Sequence, residues 1–121
     1  MADSDIINQA DLLSEITEKS SLTEIQQYIE TVLKMRNLSK TSVQDTILLL
    51  LEEAGELAKA VRKSLPDTYI DLAKIENYGT IENEVADIFV VLMALCIKLD
   101  INLFVAFKDK EKENCERRWS K

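Results

Sequence analysis

Apolar residues recur at steps of three and four along most of this chain, the spacing of helices that each lay one stripe against a core. Ile6, Ile7, Ala10, Leu13 and Ile16 outline a first short amphipathic helix from residue 5 to about residue 19, broken by Ser20-Ser21. Leu22, Ile25, Ile29, Val32 and Leu33 form a second stripe that runs to about residue 36. Ser21-Leu22-Thr23-Glu24 ahead of it has the form of a capping box. After a polar connection over residues 37–41, Ser42-Val43-Gln44-Asp45 offers another N-cap. It predicts a long helix to about residue 64, which Pro66 closes.

Residues 65–79 hold the one Pro and one of the two Gly, along with Asp67, Tyr69, Asn77 and Tyr78, and show no sustained period. They predict a loop with room for a short helical turn at 70–75. Thr80 is placed to cap a helix from residue 81 to about 99. Asp100-Ile101-Asn102 makes a corner, and a last helix runs from residue 103 to about 118. The chain therefore predicts an all-α bundle, with no repeat or flexible linker.

Two of these helices are apolar beyond a single stripe. Ile47-Leu48-Leu49-Leu50-Leu51 leads into Glu52-Glu53-Ala54-Gly55-Glu56, which predicts that much of this helix is buried. From Val85 to Ile97 the one charge is Asp87. A helix apolar all round is a core or interface helix, so Asp87 is expected in low-dielectric surroundings where an unpaired carboxylate is costly.

Composition narrows the functional classes. At 121 residues the chain is sized for one domain, and two Gly and one Pro fit a helical protein. A net charge of −7 argues against binding a nucleic-acid polymer, which is held by Lys and Arg. The absence of histidine excludes Ser–His and Cys–His catalysis and imidazole zinc sites. Cys96 and Cys115 have no metal or redox spacing, and the opening residues lack a secretory pattern, so a reducing cytoplasmic location is expected. The apolar run from Ile88 to Ile97 is too short for a bilayer, which needs about 20 residues.

The candidate chemistry lies in carboxylates. Glu53 with Glu56, and Glu84 with Asp87, are two three-residue steps on two helices. Side chains three apart share a helix face at roughly 5–6 Å, so facing pairs would make a four-carboxylate cage suited to a hard divalent cation such as Mg²⁺. The plainer reading of any single one is a salt bridge or an exposed helix end. A second constellation lies near the end of the chain. Lys110, Asn114 and Arg117 follow at steps of four and three and would put an ammonium, an amide and a guanidinium on one stripe, suited to phosphate oxygens. The neighbouring charges read as ordinary Glu–Lys pairs on a solvated helix end.

Glu52-Glu53-Ala54-Gly55-Glu56, then 27 intervening residues, then Glu84-Val85-Ala86-Asp87, resembles the EExxE and ExxD signature of the MazG-like all-α nucleoside triphosphate pyrophosphohydrolases. The segment from Lys110 to Arg117 looks like that family's KxxxNxxR element, and the resemblance covers about residues 21–119. It implies a four-helix core over residues 21–121, an additional helix over residues 1–20, and helices that pair between subunits in a homodimer or homotetramer. It implies hydrolysis of (deoxy)nucleoside triphosphates to monophosphate and pyrophosphate with Mg²⁺, or Mn²⁺ as a substitute, in nucleotide-pool cleaning. On the same resemblance Glu53, Glu56, Glu84 and Asp87 would hold metal. Glu52 and Glu53 would serve catalysis, Glu52 near the attacking water or an additional ion, and Lys110, Asn114 and Arg117 would contact the triphosphate. Such chemistry needs no side-chain nucleophile. Base stacking is left open, with Tyr28 the one aromatic residue near the first two family helices. The competing readings are a non-catalytic helical interaction protein with a seam over residues 88–97, and a phosphoribosyl-ATP pyrophosphohydrolase of the same superfamily.

Overall fold

The computed structural model describes residues 8–65 and 79–119, and these form five helices, α1 (Gln9–Ser14), α2 (Leu22–Met35), α3 (Val43–Ser64), α4 (Ile81–Lys98) and α5 (Leu103–Glu116). The fold is all-α, as the periodicity predicts. The expected loop over residues 65–79, with Pro66, Tyr69 and Tyr78, lies mostly outside the described residues.

Local chemistry sets each boundary. Ser21 forms the full capping box before α2: its hydroxyl accepts from Glu24 N at 3.0 Å, and Glu24 Oε1 accepts from Ser21 N at 3.2 Å. Ser42 caps α3 through Asp45 N at 3.0 Å. Thr80 caps α4, its Oγ1 accepting from Asn83 N at 3.1 Å. The helix ends use a device that was not read from the sequence. Asn37 and Asp100 adopt left-handed backbone, φ 58° and 56°, one residue beyond the caps of α2 and α4. Paired bonds close each end, Leu38 N to Leu33 O with Asn37 N to Lys34 O, and Ile101 N to Cys96 O with Asp100 N to Ile97 O. These are Schellman ends with Asn and Asp in the glycine position, the two non-glycine residues that tolerate it best.

The first helix is shorter than predicted. Beyond Ser14 the hydroxyls compete with the helical ladder: Ser14 Oγ donates to Asp11 O, Ser20 Oγ accepts from Thr17 N, and Thr17 Oγ1 accepts from Lys19 N. The backbone turns instead of continuing.

The chain divides into two compact units. The first comprises residues 1–40 and 96–121, with α1, α2, the last residues of α4, and α5. Here α2 packs on α1 and α5, with Ile29, Val32, Leu33 and Cys96 buried. The Gln26 carboxamide holds the start of α5. Its Nε2 donates to Ile101 O at 2.7 Å and its Oε1 accepts from Leu103 N at 3.0 Å, while Asn102 caps α5 through Val105 N at 3.0 Å. Lys98 Nζ donates to the carbonyls of Leu38 and Ser39 just beyond the end of α2, where a cation complements the helix dipole.

The second unit, residues 41–95, holds α3 and most of α4. Ala60, Val91, Met93 and Ala94 are buried, as is Thr46, whose hydroxyl donates back to Ser42 O at 2.8 Å. The expected burial of α3 is not met within the single chain: Leu48 and Leu51 are 63% and 65% exposed, and Ile47 and Leu49 are also exposed. Val85, Phe89 and Val90 on α4 are exposed as well, so these helices keep a broad apolar surface open. Among the described residues no single helix is long and apolar enough to cross a membrane.

Candidate metal centre

The capped start of α4 puts Glu84 one turn into the helix, its amide bonded to Thr80 O at 3.0 Å, and Asp87 three residues further on the same face. Glu53 comes from the middle of α3. One carboxylate oxygen from each of Glu53, Glu84 and Asp87 lies within 4.8 Å of the other two. Oxygens sharing one Mg²⁺ at about 2.1 Å lie roughly 3–4 Å apart, so this spacing is within side-chain adjustment of a coordination shell.

Burial is distributed differently from the sequence expectation. Asp87 is exposed despite its apolar helix, and Glu84 is the buried member at 8% exposure. The Asp87 side of α4 is not wholly covered in this chain: Val90, three residues on along the same face, is exposed as well. Glu53 is half-buried. Its carboxyl is pushed above the ordinary glutamate value, first by burial and then by the charges of Asp87, Glu84, Glu52 and Glu56. Among the described residues no ion pair engages Glu53, Glu84 or Asp87. Three acidic groups crowd together without a cation among the described residues, which is the donor set a divalent ion would complete.

Glu56, the fourth residue of the expected cage, is turned to Lys59, whose Nζ lies 3.5 Å from its Oε1. It stays near enough for its charge to act on Glu53. Glu52 is exposed and exerts the same effect.

The chain matches the family model described as a MazG nucleotide pyrophosphohydrolase domain over residues 41–118, a span that includes α3, α4 and α5. It belongs to the MazG family. No curated protein and no solved structure gives a significant match.

One residue beside the carboxylate cluster escapes a motif search because it bears no side chain. A Cβ added at Gly79 would overlap Glu84 Oε1 and stand 3.2 Å from its Cδ. The glycine lets the backbone entering α4 pass directly over the carboxylate. Its signal in the sequence was only a Gly immediately before a helix cap, five residues ahead of an acidic ligand candidate.

Of the expected phosphate-binding residues, Lys110 and Asn114 lie on α5 and Arg117 is its C-cap, all in the first unit. Lys110 pairs with Glu113 at 3.3 Å, and Asn114 Oδ1 accepts from Arg117 Nη1 at 3.4 Å. The helical stripe expected of the three is incomplete. α5 ends at Glu116, and Arg117 already has extended backbone, φ −80° and ψ 145°. Its guanidinium is held beside Asn114 by a hydrogen bond rather than by helical periodicity.

Proposed function

We propose that this MazG-family chain hydrolyses nucleoside or deoxynucleoside triphosphates to the monophosphate and pyrophosphate with Mg²⁺, in nucleotide-pool cleaning. The observation that carries this reading is the convergence of Glu53, Glu84 and Asp87 without a cationic partner among the described residues. These three would hold the ion, and Glu56 would join them by leaving Lys59, an exposed pair that contributes little. A bound divalent cation supplies positive charge to the phosphate oxygens as charge develops in phosphoryl transfer.

The chain's own groups have distinct tasks. Glu52 and Glu53 stand beside the attacking water, and Glu52, exposed and outside the three-carboxylate cluster, takes up its proton. Lys110, Asn114 and Arg117 hold the triphosphate, Arg117 as a planar donor set that matches two phosphate oxygens. The assembly is a homodimer or homotetramer in which the apolar surface of α3 and α4, with Leu48, Leu51, Val85 and Phe89, pairs with a second copy. Exposure of those side chains in the single chain supports this, because contiguous apolar patches mark interaction sites. Both described cysteines are free, which supports a reducing cytoplasmic compartment.

Pyrophosphate release from a panel of triphosphates with Mg²⁺ tests the reading and ranks substrates. The unmodified protein is expected to release pyrophosphate, and Glu53→Gln and Asp87→Asn to lose most of that activity. Absence of release from every triphosphate, or equal rates in all three proteins, overturns it.

A further inference from the structure

The termination of α5 creates a contact that a continued helix would forbid. Residues two apart on an α-helix do not face each other, whereas on extended backbone they share one side. Arg117 is the first extended residue after α5, and Trp119 follows two positions later. The centre of the Arg117 guanidinium stands 4.6 Å from the centroid of the Trp119 ring, within cation–π distance. The indole is otherwise open, with Trp119 70% exposed.

We infer that Trp119 is a positioning residue for the phosphate-binding Arg117, holding the face of its guanidinium so that the edge is presented to the triphosphate. This rests on the proposed role of Arg117 in substrate binding. The five N–H bonds of a guanidinium lie in its plane. A ring against the face therefore blocks none of them, and Asn114 Oδ1 takes only one, at Nη1. An arginine just beyond a helix end has many rotamers available. Trp119 on its face and Asn114 on its edge restrict these, so less freedom is lost when two phosphate oxygens arrive.

Trp119 is the sole tryptophan of the chain, so indole emission reports on this contact directly. In the ligand-free protein, Arg117→Gln is expected to change the emission intensity by removing the cation from the ring. An unchanged spectrum overturns the contact whatever the enzyme does. Titrating the unmodified protein with inorganic pyrophosphate and Mg²⁺ is expected to give a saturable emission change that Arg117→Gln abolishes; a silent titration of the unmodified protein overturns the inference. In kinetics, Trp119→Leu is expected to raise KM about two- to fivefold with kcat unchanged, the equivalent of an exposed cation–π contact. Trp119→Phe, which keeps a ring face, should recover part of that, and circular dichroism of each variant checks the fold.

A double variant separates the two claims. Arg117→Gln should raise KM more than Trp119→Leu, and adding Trp119→Leu to it should cost nothing further. Full multiplication of the two effects shows that Trp119 acts independently of Arg117 and overturns the positioning role while leaving Arg117 a phosphate ligand. An Arg117→Gln protein with unaltered KM removes the phosphate-binding role itself, and the inference with it.

Discussion

Replacing Glu53 by Gln should make the metal-free protein more stable, the opposite of what removing a half-buried charged residue usually does. The amide keeps the shape and removes one of three negative charges. Glu53 has two partners, Glu84 and Asp87, with ligand oxygens within 4.8 Å. At that distance each repulsion is about 0.9 kcal/mol in water-like dielectric and about 3.5 kcal/mol at an effective dielectric of 20. Asp87 is exposed, so the water-like end governs its term, and salt screens it further. The expected gain is about 1–2 kcal/mol, or about 3–8 °C in Tm for a chain of this size. The assay is thermal unfolding followed by circular dichroism, with a chelator, at pH 7 and low salt. Glu82→Gln is the control, because Glu82 lies in the first turn of α4 outside the cluster and its charge favours the helix dipole; it should be neutral or slightly destabilising. A Glu53→Gln protein that melts at or below the unmodified protein refutes the reasoning, since the carboxylates would then not be repelling one another.

The pH dependence follows from the same crowding. Glu53 binds its proton more tightly folded than unfolded, so between the ordinary value of 4.5 and its raised folded value the native state holds more protons. Stability linked to this group is complete below 4.5 and is lost as pH rises through the folded value. The metal-free protein should thus gain stability on mild acidification from neutrality, and Glu53→Gln should flatten that slope in urea titrations at stepped pH; an unaltered slope counts against it. Gly79→Ala should leave the fold nearly as stable, because the overlapped atom is the far end of a flexible side chain, but it must drive Glu84 out of the cluster. Calorimetry should show weakened Mn²⁺ binding, and retained binding would show that Glu84 is not a ligand. Gln26→Ala removes two hydrogen bonds that hold the start of α5 and should cost about 2 kcal/mol in urea unfolding; a cost under about 0.5 kcal/mol would mean that the corner holds itself.

What the sequence disclosed depended on whether a signal was local. The starts of α2, α3 and α4 were legible because Ser21, Ser42 and Thr80 each act through an amide three residues away. The end of the first helix was not legible because Ile16 keeps the helical period while the hydroxyls of Thr17 and Ser20 form side-chain turns. Motif spacing put Glu53, Glu84 and Asp87 on the right helices, and their meeting needed only that α3 and α4 approach there. Glu56 and Arg117 were harder. Each position followed from a neighbour, Lys59 in one case and the early end of α5 in the other, that a spacing argument does not weigh. The exposure of α3 was not legible for a different reason: apolar content alone does not tell which side chains of a helix the fold covers.

Divalent-cation binding by the three converging carboxylates is measured most directly as loss of the free Mn²⁺ paramagnetic resonance signal on titration into the metal-free protein. The unmodified protein should bind Mn²⁺ saturably. Glu84→Gln should weaken that binding about tenfold or more, since even removing an outer partner of a ligand typically costs tenfold. Identical Mn²⁺ titrations of the two proteins would contradict the metal centre and the proposed hydrolysis with it.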